Sequence, residues 1–209
     1  MDTTLVMSRF FALLTVAANL TVLGALVLLA ARRSPAAARL KADLRELLRT
    51  YALPLAWLVA LTATLGSLYY SEAANFVPCK LCWYQRIAMY PLVVILGIAA
   101  IRRDIHVRRY VVPVAGVGAA IAIFHYGLQR FPQLTSGSCD PAAPCTSTWV
   151  WQFHFISIPF MALSGFALIA ILLLLAPGEP EPAKPETADT QNSVKERENN
   201  GLSLSSPRP

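Results

Sequence analysis

Two cysteines three positions apart, Cys79 and Cys82 in FVPCKLCWYQR, stand at the mouth of a long apolar run, and two more, Cys139 and Cys145, lie in the polar stretch LTSGSCDPAAPCTST. A C-x-x-C disulfide closes so small a loop that it restricts the unfolded chain little, and such pairs are more often redox-active than structural. In an oxidising compartment four cysteines imply disulfides, with three possible connectivities. A pair in a loop rich in Ser, Gly, Pro and Asp is exposed and short of packing partners, hence open to another protein's thiolate. Cys82 falls where a helix begins, so free amides and the helix dipole favour a thiolate there. Arg86 follows one turn deeper on the same face, placed to stabilise that thiolate and to donate hydrogen bonds to a ligand oxygen at the membrane interface. The plainer alternative for Arg86 is an interfacial anchor snorkelling to water.

The elements that must position these residues are membrane helices. The chain has 209 residues, 56% of them hydrophobic and 14% charged, too apolar for an ordinary soluble fold. Apolar runs near residues 10–31, 51–71, 83–101, 110–128 and 155–176 are each long enough to cross a hydrocarbon core of roughly 30 Å as a helix. None alternates with period two, so the expected class is an all-α membrane protein. Pro54, Pro91, Pro113 and Pro159 fall inside these runs and are expected to kink the helices without ending them. Gly116 and Gly118 permit close helix approach. From residue 177 the chain turns Pro-, Glu- and Asn-rich, the composition of a disordered tail.

The net charge of +6 does not point to nucleic acid, because the basic residues are confined to short segments flanking the spans, at 32–49 and 102–109. An excess of Lys and Arg in short loops marks the cytoplasmic side. Two spans separate these segments, so both fall on one side and all four cysteines on the other, with the tail inside. A cleaved signal peptide at the N-terminus is the alternative. The long apolar run followed directly by Arg32 and Arg33 reads instead as a retained anchor. Residues 36–50 read as an amphipathic helix lying along the inner membrane surface or as a solvated connector.

CKLCWYQR resembles the C-x-x-C-x-Y-[EQ]-R segment of the disulfide bond formation protein B (DsbB) family, which sits at the outer start of a helix and is followed by a second outer-loop cysteine pair. The similarity covers about residues 51–176, and the order of the pairs is the reverse of that in the related vitamin K epoxide reductase family. The resemblance implies a four-transmembrane-helix bundle at 51–176, an additional N-terminal transmembrane helix and connector at 1–50, and the tail at 177–209. It implies a thiol:quinone oxidoreductase of the bacterial inner membrane that supports disulfide formation in exported proteins. A reduced thioredoxin-like (DsbA-like) oxidase would attack Cys139/Cys145, with Cys139 forming the mixed disulfide. Electrons would pass to Cys79/Cys82, and a membrane quinone, ubiquinone or menaquinone, would take them from Cys82 with Arg86 near its carbonyl. The second pair departs from enterobacterial members: its C-x5-C spacing is tighter and nearer the compact Gram-positive form. Residues 1–50 lie outside the four-helix pattern and receive no function from it.

His125, near the outer end of its run, is placed to hydrogen-bond a quinone oxygen or help supply protons, or else is a water-exposed helix-end residue. Trp83, Tyr84, Tyr90, Trp149 and Trp151 read chiefly as interfacial anchors, and His154 receives no role. Two other functions compete: a cysteine metal site, for which C-x5-C is off the usual ligand spacing, and a membrane scaffold with purely structural disulfides. No resident metal is expected.

Overall fold

The computed structural model describes residues 3–31, 35–134 and 139–177. It contains five long helices: α1 (Thr3–Ala30), α2 (Pro35–Leu68), α3 (Lys80–Arg102), α4 (Arg108–Arg130) and α5 (Ile158–Leu175). Each is long and apolar enough to cross a membrane. No strand occurs among the described residues, so the fold is the all-α class expected from the sequence. The tail expected at 178–209 lies outside the described residues, as do Arg32 and Arg33.

Large apolar side chains such as Leu20, Val94 and Ile123 point outward and are more than half exposed, which hydrocarbon tolerates and water does not. The interior mixes alanines with large apolar residues such as Leu92, Leu96 and Ile169. Leu48, Ala52, Ala56 and Ala60 recur every fourth residue along one face of α2, and Ala88, Ala99 and Ala115 serve α3 and α4. Small side chains let membrane helices approach closely enough for dispersion to hold them together. Phe166 of α5, fully buried, fills the space left by Gly118 of α4, whereas nothing packs near the Cβ direction of Gly116.

Successive helices run in opposite directions. The C-terminal ends of α2 and α4 and the N-terminal ends of α3 and α5 therefore share one end of the bundle. The start of α1 joins them, where the Tyr70 hydroxyl donates to Ser8 Oγ at 3.4 Å. At the opposite end Arg108 Nη1 donates to the carbonyl of Ala176 at 3.1 Å and so satisfies an open carbonyl of α5.

Two expectations are corrected. The segment at 36–50 is no separate surface helix: α2 is continuous for 34 residues from Pro35, about 50 Å at 1.5 Å per residue, so its basic first turns project beyond the hydrocarbon core in line with the span. Pro54, Pro91 and Pro113 do lie inside helices. Pro159, however, occupies the first turn of α5, where its missing N–H has no helical acceptor to lose and its fixed φ suits helix initiation.

Candidate active site

The C-x-x-C pair straddles the start of α3. Cys79 is the N-cap, in extended geometry, and its sulfur accepts from the Cys82 backbone N–H at 3.3 Å. The geometry follows from position: the amide of the third helical residue points back toward the cap. The two sulfurs stand 2.8 Å apart, both as free thiols. From α4, His125 Nε2 reaches the Cys79 sulfur at 3.5 Å, while the ring's Nδ1 lies 3.3 Å from Gln85 Nε2. With the Gln85 amide donating to Nδ1, the ring proton sits on Nε2 and faces the sulfur. The thiol of Cys82 hydrogen-bonded to Cys79 draws the Cys79 pKa down to about 4, against the opposing effect of burial and with further help from His125. The amide and imidazole donors thus converge on Cys79, not on Cys82 where the sequence led us to expect the thiolate.

His125 is 2% exposed, so the water-exposed alternative for it does not hold. It faces Cys79 and does not line the larger cavity described below.

A depressed Cys79 pKa has a direct readout. Its alkylation by iodoacetamide should remain fast through neutral pH and slow only as pH falls toward about 4. His125→Phe removes one donor to the thiolate and should move that midpoint upward by about one unit. An unchanged profile would show that the imidazole does not act on the sulfur.

Cys139 and Cys145 form a disulfide. The sequence suggested a pair wholly exposed in a polar loop, but the two ends differ. Cys145 is 1% exposed and shares a buried cluster with Cys79 and Leu128, while Cys139 is half-buried. The loop is tied to the end of α4: Gln129 Nε2 donates to the Ser147 carbonyl at 2.9 Å, and the Tyr126 hydroxyl donates to the Phe155 carbonyl at 3.0 Å. Cys145 thus packs against the C-x-x-C pair. A narrow cavity beside the C-x-x-C pair is lined by Cys79, Cys82, His125, Pro144 and Ser147.

On its other side Cys82 opens into a second cavity of about 400 Å³, mostly apolar, running between α1, α2 and α5. Its polar end carries Cys82, Gln85, Arg86, Tyr90, Ser67 and Tyr70. Arg86 Nε donates to Ser67 Oγ at 3.0 Å and Nη2 to the Ser67 carbonyl at 3.0 Å, which leaves Nη1 without a partner among the described residues. The Tyr90 hydroxyl donates to the same Ser67 oxygen at 3.2 Å, and the Trp83 ring lies 5.2 Å from the guanidinium carbon. Tyr70, Phe76 and Trp149 stack in series, with centroids 5.7 and 5.0 Å apart, and border the cavity where it nears the loop.

Residues 49–176 match the family model of the disulfide bond formation protein DsbB. The chain belongs to the DsbB family. It is 52% identical to disulfide bond formation protein C of Bacillus subtilis over 124 residues, 59% of this chain and 90% of that protein. Against the probable disulfide formation protein C 1 of Bacillus cereus it is 46% identical over 128 residues, 61% of this chain and 92% of that one. A probable disulfide formation protein of Chlamydia trachomatis is 47% identical over 129 residues, 62% of this chain and 94% of that one. No solved structure matches it. The resemblance to the compact Gram-positive form is borne out, and membership makes the chain a multi-pass membrane oxidoreductase of disulfide bond formation.

Two residues of this DsbB-family site escaped sequence reasoning. Gln85 stands inside the quoted motif, yet its bond to His125 joins positions 40 apart and leaves no local signal. Ser67 lies in an apolar run on another helix, 19 positions before Arg86. All of α1 falls outside the family match.

Proposed function

We propose that this chain is a protein-dithiol:quinone oxidoreductase that reoxidises an extracytoplasmic thioredoxin-like oxidase of the DsbA type. The observation that carries the reading is Cys82, the one cysteine that lines both cavities. The narrow cavity borders the disulfide loop and the wide one suits a membrane-soluble molecule. In the proposed relay a partner thiolate attacks the more accessible Cys139, Cys145 leaves, and the partner's second thiol resolves the mixed disulfide. The released Cys145 thiolate, packed beside Cys79, attacks an oxidised Cys79–Cys82 disulfide at Cys79 and frees Cys82. Cys139 then displaces Cys79 and re-forms the loop disulfide. Two electrons and two protons move inward, which leaves the loop disulfide closed and the C-x-x-C pair reduced.

The wide cavity fits a quinone, with an apolar body and a cationic, hydroxyl-bearing end beside Cys82. Such a molecule supplies a two-electron, two-proton acceptor as Cys79 and Cys82 close their disulfide. Arg86, fixed by Ser67, keeps Nη1 free to bind a ring oxygen, and His125 holds the proton on Nε2 beside Cys79. The basic segments at 102–109 and at the start of α2 support placing the cysteine end outside the cytoplasmic membrane.

The test is quinone reduction by the purified, dithiol-reduced protein in detergent, with thiols counted by alkylation. Quinol formed as thiols disappear supports the reading; thiols that persist with both ubiquinone and menaquinone refute it. Arg86→Gln should lower kcat/KM for the quinone by about 10- to 100-fold, the worth of a charge-assisted hydrogen bond. Ser67→Ala, which spares the carbonyl contact, should cost about fivefold, the worth of a neutral one. Alkylation of Cys79 should be unaffected in both, and a parallel loss there would mean general misfolding.

One observation favours a second reading. The ligating atoms of Cys79, Cys82 and His125 lie within 4.8 Å of one another, a Cys2His donor set suited to zinc. Stoichiometric zinc retained after purification without chelator would favour it over the relay.

A further inference from the structure

The helix that the family match leaves out lines the cavity that the proposed function uses. Phe11, Thr15 and Ala18 of α1, one face at helical spacing, border the wide cavity, with Leu14, Ala17 and Thr21 beside them. From Phe11 to Thr21 the helix rises about 15 Å, matched on α2 by the stretch from Ser67 to Leu58. The cavity is thus a channel, with its polar, cysteine-bearing end at the Ser67 level and its apolar end deep among the spans.

α1 is fastened there by specific contacts. Asn19 Nδ2 donates to Ser164 Oγ of α5 at 2.7 Å. At the redox end the Phe11 ring lies on Gly66 of α2, where a Cβ would come within 2.9 Å of it, and also meets the Tyr70 ring at 5.9 Å between centroids. Below that contact Leu14, Ala17 and Thr21 are exposed on the membrane-facing surface. They form an open rim between α1 and α2, while Thr15 faces inward with its hydroxyl satisfied by the Phe11 carbonyl at 2.8 Å. A wall of Phe, Leu, Ala and self-satisfied Thr presents no unmet polar group, which suits a hydrocarbon chain.

We propose that α1 is the tail-binding wall of the quinone site. Its Phe11–Thr15–Ala18 face contacts the isoprenoid chain of a quinone whose ring lies at Cys82 and Arg86, and makes the enzyme select long-tailed over tail-less quinones. The inference rests on the quinone reading of the cavity.

Two measurements on the full-length protein test it. A quinone carrying a photoreactive group on its tail should label the peptide spanning Phe11 to Thr21, and excess unlabelled long-tailed quinone should suppress that labelling. Label found only within residues 49–176 overturns the proposal. Ala18→Phe, which narrows the channel beyond the reach of a bare ring, should raise KM for a long-tailed quinone by roughly tenfold or more. The KM for a tail-less benzoquinone should stay within about twofold. An equal rise for both, or for neither, overturns the proposal and leaves the quinone reading standing. Wild-type protein that reduces neither quinone defeats the proposed function and this inference with it, so the two failures are told apart by the wild-type control.

Discussion

Reduced Cys82→Ser protein mixed with a quinone in detergent is expected to form quinol at no more than about a thousandth of the wild-type rate, the scale of loss when a reacting nucleophile is removed. Cys82 is the cysteine open to the Arg86 cavity, and its sulfur stands 2.8 Å from that of Cys79. Without it Cys79 can pair only with Cys145, which does not line the wide cavity, and the electron pair has no route into that cavity. The serine hydroxyl still donates a hydrogen bond, so the N-cap and the backbone N–H contact to Cys79 should survive. Alkylation of Cys79 should therefore continue while quinol formation stops. Quinol formation near the wild-type rate would refute the assignment of Cys82. Loss of both activities together would point to a folding defect, which circular dichroism and the alkylation count would reveal.

The second large effect is on stability. Gly118→Ala builds a Cβ into the Phe166 ring, at a point where α4 and α5 touch with no space between them. Phe166 is 0% exposed and sits in the main buried cluster with Leu92, Leu96 and Ile169, so the ring cannot swing away cheaply. Overpacking of this kind costs about 1–3 kcal/mol. The expected result is a clearly lowered thermal midpoint in detergent, with Phe166→Leu in the same chain restoring part of the loss by returning the volume. If Gly118→Ala melts like the wild type, the close α4–α5 approach is wrong. Gly116→Ala is the matched control, because nothing packs within 4 Å of its Cβ direction; it should be neutral or slightly stabilising through helix propensity.

What the sequence revealed and what it hid divide along a physical line. The five spans were legible because a hydrocarbon core demands long apolar runs, and the C-x-x-C at a helix mouth was legible because both cysteines sit in one turn. Gly116 and Gly118 look alike in GVG, yet only the helix crossing decides which one faces Phe166. The ends of α2 and α5 were misread for local reasons. A charged amphipathic stretch and the span after it can form one unbroken helix, and a proline in an apolar run marks a start as readily as a kink. Contacts at long sequence separation were beyond reach: Cys145 against Cys79, His125 against Cys79, and Ser67 beneath Arg86 all depend on which helices meet and at what rotation. The exposed reading of the cysteine loop failed for the same reason, since its polar composition says nothing of the single buried sulfur at its base.

Cys82 lines both cavities, the narrow one bordering the disulfide loop and the wide, mostly apolar one running among the helices. In the proposed relay the soluble donor and the lipid-borne acceptor therefore never occupy a common chamber, and neither can displace the other. In that relay the pair would act as an airlock between two separate sites, and a shortage on either side would stall the cycle in a distinct, chemically trappable redox state.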